Sequence, residues 1–199
     1  MAFIKTVPAA QAEGKLLEIY QEDLKNKGYV ANHTSAFSLR PEVYRAWQNL
    51  LSSIRSHMRL RRFELVTFAA AQALKCTYCM LAHGAVLRKN FFGPGELAAI
   101  ARDFHGAGLP GEEVALMEFA QKATLEPNQL TQQDIDLLRE KGLSDEEILD
   151  VVLAVTARNF MSKTLDALGA EPDAALMDLE PELRKVLVIG RPFPTPAHR

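Results

Sequence analysis

A helical repeat of apolar residues runs through nearly the whole chain, and no stretch alternates apolar with polar as a half-buried strand would. That pattern restricts the fold to helix packed on helix, with glycine and proline marking the breaks. After Pro8, residues 9–27 place Leu16, Leu17, Ile19, Tyr20 and Leu24 on one broad side, and Gly28 ends the run. Asn32, Thr34 and Ser35 read as a loop. Pro41 suits the first turn of a second helix reaching about His57, with Val43, Trp47, Leu50, Leu51 and Ile54 as core. A third helix is expected from Leu60 to Leu74 and a fourth from about Cys76 to Asn90. Gly93-Pro94 precedes a short helix to Arg102, and "HGAGLPG" precedes another over about Glu112 to Leu125.

Thr131 with Asp134, and Ser144 with Glu147, form capping pairs that open two more helices. The second is apolar on several sides between Ile148 and Thr156, which suits a central helix or a subunit interface. The expected architecture is all-α and single-domain. Residues 1–40 form an N-terminal helix and arm, 41–170 a helical core, and 171–199 an extended tail ending in the proline-rich "RPFPTPAHR".

Composition excludes several functions. At 199 residues, with 48% hydrophobic and 24% charged content, the chain can bury one sizeable core. A net charge of −2 gives no reason to expect nucleic acid or an anionic membrane as partner. No apolar run approaches the roughly 20 residues of a membrane span. The first residues lack a signal peptide's apolar core, so the expected location is the cytoplasm. No phosphate loop or dinucleotide fingerprint appears, and no cofactor or metal is expected. In such a compartment closely spaced cysteines point to catalysis, redox sensing or metal binding rather than to a structural staple.

Both cysteines lie in "ELVTFAAAQALKCTYCMLAH", Glu64 to His83. On a helix, Cys76, Cys79 and His83 fall within about 60° of one another. If the cysteines occupy the opening turn they can close a disulfide, and the unpaired N–H groups and helix dipole there favour a thiolate. Glu64 would lie roughly 30 Å from His83 along a continuous helix. A bend near Leu74 and Lys75 would instead make an antiparallel hairpin and bring the two side chains together. Glu64 would then orient His83, and His83 would take the thiol proton. A Cys79 thiolate attacking a hydroperoxide leaves a sulfenic acid, Cys76 condenses with it, and an external dithiol reduces the disulfide.

The pattern E-x11-C-x2-C-x3-H, here Glu64, Cys76, Cys79 and His83, resembles the signature of the alkyl hydroperoxidase D (AhpD)-like enzymes of the carboxymuconolactone decarboxylase superfamily. The resemblance is most specific from about Pro41 to Asn90. It continues more loosely through "DLLREKGLSDEEILDVVLAVTARNF", which is similar to the closing helices of peroxidase-related members. It implies an all-helical fold assembled as trimers or hexamers and a cofactor-free thiol peroxidase acting on hydroperoxides. By position, Cys79 would be the peroxidatic sulfur, Cys76 the more exposed resolving sulfur, and Glu64 with His83 the proton relay. One departure stands out: the best-studied branch has histidine where Tyr78 stands. A phenol can donate a hydrogen bond but is a poor base near neutral pH, which leaves proton transfer to Glu64 and His83.

Other readings compete. The cysteines could be inert core residues, or two of the four ligands of a zinc site. Glu64 follows two arginines and could be a surface acid in an ion pair. His33, His57, His105 and His198 stand in or beside loops and read as surface residues. At the level of function, the alternatives are a redox sensor or disulfide-exchange protein, or a lactone-decarboxylating lyase using His83 and Glu64 but needing no thiol pair.

Overall fold

Helices begin where the sequence offers a proline or a cap. Pro41, Pro94 and Pro181 each stand at the first position of a helix, where the missing N–H costs nothing. Thr131 and Ser144 close capping boxes with Asp134 and Glu147. The computed structural model describes residues 2–192, among which there are ten α-helices and no strand. They are α1 (Gly14–Lys27), α2 (Asn32–Ala36), α3 (Pro41–Ser56), α4 (Leu60–Ala73), α5 (Thr77–Asn90), α6 (Pro94–Arg102), α7 (Gly111–Leu125), α8 (Gln132–Glu140), α9 (Asp145–Ala167) and α10 (Pro181–Leu187).

α4 is the centre of the bundle, against which α7, α5 and α9 pack. Every residue from Phe63 to Ala71 is buried, so this helix is enclosed on all sides. Ala69, Ala70 and Ala71 keep its last turns narrow enough for neighbours to close in. Burying its Phe68 or Leu65 contributes about 1.5–3 kcal/mol each. Arg62 ties α4 to two neighbours through Glu112 on α7 at 2.7 Å and Glu147 on α9 at 2.5 Å, and Arg61 pairs with Glu113. α3 lies against α9, with α1 outside it.

Several expectations are corrected. Asn32–Ala36 is a short helix rather than a loop. Leu17 and Leu24 face solvent while Leu16, Ile19 and Tyr20 turn inward, because α1 is covered on one side only. Val43 and Leu50 are also exposed, and Trp47 and Leu51 only partly buried, so the outer face of α3 is not core. The segment after 170 is not an extended tail: a 3-10 turn at Ala174–Asp178 leads into α10, which packs on α6 and α5. Leu183 and Leu187 supply the burial that holds it there. The proline-rich residues 193–199, with His198, lie outside the described residues.

Candidate active site

The α4–α5 connection is a Schellman turn. Lys75 N donates to Gln72 O at 2.9 Å, and Cys76 N donates to Ala71 O at 3.0 Å. Such a turn needs a left-handed residue, and Lys75 takes that role with φ +56, which costs a non-glycine residue about 1–2 kcal/mol. Cys76 is then the N-cap of α5, its carbonyl accepting from Met80 N at 2.9 Å. Cys79 occupies the third helical position, so both sulfurs sit in the turn where N–H groups lack helical partners.

The reversal lays α5 along α4 and brings Glu64 to His83, with Glu64 Oε2 2.6 Å from His83 Nδ1. Glu64 is buried, and His83 keeps 12% of its side chain exposed. Glu64 is therefore not a surface partner of Arg61 or Arg62, whose acids are on α7 and α9. Thr67 Oγ1 lies 3.2 Å from the same ring nitrogen. With Nδ1 held by a carboxylate, the proton belongs on Nδ1 and Nε2 is left to exchange protons.

Two residues not foreseen from the sequence complete the sulfur environment. Ser162 Oγ donates to Cys79 Sγ at 3.2 Å, and Arg158 Nη1 lies 3.5 Å from the same sulfur. Cys76 Sγ lies 3.9 Å from the Ser162 carbonyl oxygen. Arg158 and Ser162 interrupt the buried stripe of α9 formed by Val151, Val155 and Leu165, at spacings of three and four. Polar side chains in register with an apolar stripe were the available signal.

These contacts split the two thiols. A hydrogen bond from Cys76 holds Cys79 well below the ordinary thiol range despite burial, with the charges of Arg158 and His83 and the Ser162 hydroxyl adding to it. The same hydrogen bond, together with burial, pushes Cys76 up. Cys79 is thus the more acidic thiol of the pair and Cys76 the less acidic, both cysteines being unbonded here. Cys76 is not the more exposed sulfur: it is fully buried and Cys79 is 2% exposed. The Val188–Gly190 segment explains this. Gly190 N donates to Thr77 Oγ1 at 3.0 Å, and a Cβ on Gly190 would stand 1.8 Å from the Lys75 carbonyl oxygen, so the chain crosses the turn on both sides of Cys76.

Tyr78 faces away from the sulfurs. Its hydroxyl donates to Asp173 Oδ2 at 2.5 Å and receives the His33 backbone N–H at 3.1 Å. Burial, then the Asp173 carboxylate, pushes the phenol up, so it holds its proton. His33 is correspondingly a partly buried residue rather than a free surface one, with Nδ1 2.9 Å from the phenol oxygen. His57 and His105 are exposed. Among the described residues no three His, Cys, Asp or Glu side chains are grouped to hold a metal ion. No described helix is long and apolar enough to cross a membrane.

The fold has counterparts of known structure. One is an alkylhydroperoxidase AhpD core, an uncharacterized peroxidase-related protein from Ralstonia eutropha JMP134, with TM-score 0.80 and 22% identity over 88% of this chain and 94% of that one. A peroxidase-related protein from Silicibacter sp. TM1040 gives TM-score 0.76 and 20% identity over 87% and 94%. The debrominase Bmp8, in complex with 2,3,4-tribromopyrrole, gives TM-score 0.74 and 14% identity over 94% and 100%. No curated protein sequence matches the chain. Residues 41–122, which hold Glu64, Cys76, Cys79 and His83, match the model of the carboxymuconolactone decarboxylase family. The chain has the AhpD-like all-helical fold, and its residues 41–122 are similar to the carboxymuconolactone decarboxylase family.

Proposed function

We propose that the protein is a thiol peroxidase that reduces organic hydroperoxides through Cys79 and Cys76. The observation that carries this reading is the cysteine pair at the α5 N-terminus, with Cys79 Sγ in contact with the Arg158 guanidinium and the Ser162 hydroxyl, surroundings that lower its pKa. The Cys79 thiolate attacks the terminal oxygen of the peroxide, and the O–O bond breaks as Cys79 becomes a sulfenic acid. The leaving alkoxide takes a proton from His83, whose imidazolium Glu64 stabilises at 2.6 Å, and departs as the alcohol. Cys76 then attacks the Cys79 sulfur, forming the disulfide and releasing water. An external dithiol returns both thiols and is itself oxidised to a disulfide. Neither sulfur is open to solvent, which favours a small oxidant over a protein disulfide as the first partner.

The same reading keeps three further expectations: a cofactor-free reaction, a cytoplasmic setting, and a homo-oligomer, trimer or hexamer. Leu149, Leu153 and Phe160 expose apolar surface along α9, which supports association. A lyase using Glu64 and His83 alone would leave the tuned thiol pair without work. The test is consumption of cumene hydroperoxide by reduced protein with a panel of dithiols, read as peroxide lost and thiols oxidised. Two thiols lost per peroxide supports the proposal, and full activity in Cys79→Ser overturns it.

A further inference from the structure

A cavity of about 620 Å³ opens where the end of α1, α2 and α3 meet, a size that suits a small organic ligand. His33, Tyr44, Trp47, Gln48, Leu51 and Arg55 line it. It lies against the helix that carries Arg158: Trp47 Nε1 donates to the Ala157 carbonyl oxygen at 3.3 Å, and the next residue, Arg158, contacts Cys79.

The lining holds unmet chemistry: Gln48 Oε1 is buried with no donor. Lys27 at the rim is neutralised by Asp23 at 2.8 Å. Arg55 has no acid partner among the described residues and only rests over the Phe63 ring at 5.8 Å. No acidic side chain lines the cavity, while Trp47 and Tyr44 stack with centroids 6.0 Å apart to give an aromatic wall. We propose that this cavity binds an aromatic carboxylate: the ring lies on Trp47 and Leu51, the carboxylate on Arg55, and a ligand O–H on Gln48 Oε1. Resting on the peroxidase reading, the ligand is a carboxylate-bearing aromatic hydroperoxide whose reacting end turns toward Arg158 and Cys79.

Trp47 is the only tryptophan, so its fluorescence reports occupancy directly. The reduced protein is titrated with 4-(2-hydroxypropan-2-yl)benzoate, the alcohol such a peroxide would yield, and with its methyl ester. The acid should bind about tenfold more tightly than the ester, as a charge-assisted contact requires. Arg55→Met should bring the two within about twofold, and Ser52→Glu, which adds a like charge to the same wall, should weaken the acid alone. In turnover, 4-carboxycumene hydroperoxide should exceed cumene hydroperoxide in kcat/KM by about tenfold in the native chain only. Unchanged Trp47 emission, or equal binding of acid and ester, overturns the assignment. Acid-selective binding with no consumption of either peroxide leaves the carboxylate site standing and overturns the peroxidase reading instead.

Discussion

Glu64 and His83 are 19 residues apart in sequence, yet their side chains meet at 2.6 Å because a Schellman turn centred on Lys75 folds α5 back along α4. The contact is buried on the glutamate side, so the carboxylate has given up water for the imidazole. An isolated buried carboxylate is costly, and its partner ring is what offsets that cost.

Glu64→Gln keeps the shape and a hydrogen bond but removes the charge that stabilises the imidazolium. Peroxide reduction should fall by about 10²–10³ in kcat/KM with the fold retained, as expected for losing the support of a general acid. Stopped-flow peroxide consumption checks this. A rate within about threefold of native would mean that Glu64 only packs His83 in place.

Arg158→Met removes the positive charge nearest Cys79 and should raise that thiol toward its ordinary value. Thiolate absorbance at 240 nm should then titrate at higher pH, and the peroxide rate at pH 7 should fall about tenfold or more and recover with added base. Ser162→Ala should move both in the same direction by less, since it removes one neutral donor.

Stability should follow the thiol pair. Cys79 is held well below the ordinary thiol range, so between the depressed value and about 9 the unfolded chain binds more protons and stability rises with pH. Cys76 is pushed above 9.0, so beyond that pH the folded chain keeps a proton the unfolded chain loses, and stability falls. Denaturant titrations of reduced protein should show both limbs, and Cys79→Ser should erase the rising one.

The hairpin was legible because its signals are local: an apolar helix, a short bend, two cysteines and a histidine on one face. Capping at Thr131 and Ser144 was legible for the same reason. Arg158 and Ser162 were not, since their meaning depends on α9 packing on the α4–α5 hairpin, 79 and 83 residues from Cys79. Cys76 was expected to be the more exposed sulfur, but α9 and the distant Gly190 segment close over its turn. Trp47 looked like core because its helix repeats correctly, but the repeat does not say whether a neighbour covers that side.

Tyr78→Phe deletes the donor to Asp173 and leaves that buried carboxylate with the Asn32 N–H at 2.7 Å. About 1–3 kcal/mol of stability should be lost while peroxidase activity stays within about threefold. A loss of activity exceeding tenfold at unchanged stability would place the phenol in the chemistry.

Gly190→Ala puts a methyl 1.8 Å from the Lys75 carbonyl and must lift the crossing segment. Cys76 should then react with a bulky thiol reagent about tenfold faster than in the native chain, a consequence of lost burial. Unchanged labelling would show that the segment does not guard the sulfur.

The account stands on which sulfur meets the oxidant. Reduced Cys76→Ser and Cys79→Ser chains, each given one equivalent of cumene hydroperoxide and trapped with a sulfenic-acid reagent, are read by peptide mass spectrometry. Rapid modification of Cys79 in Cys76→Ser, with Cys79→Ser left as free thiol, is the predicted result. Rapid sulfenic acid on Cys76 in Cys79→Ser, with Cys79 inert in the other chain, would contradict it.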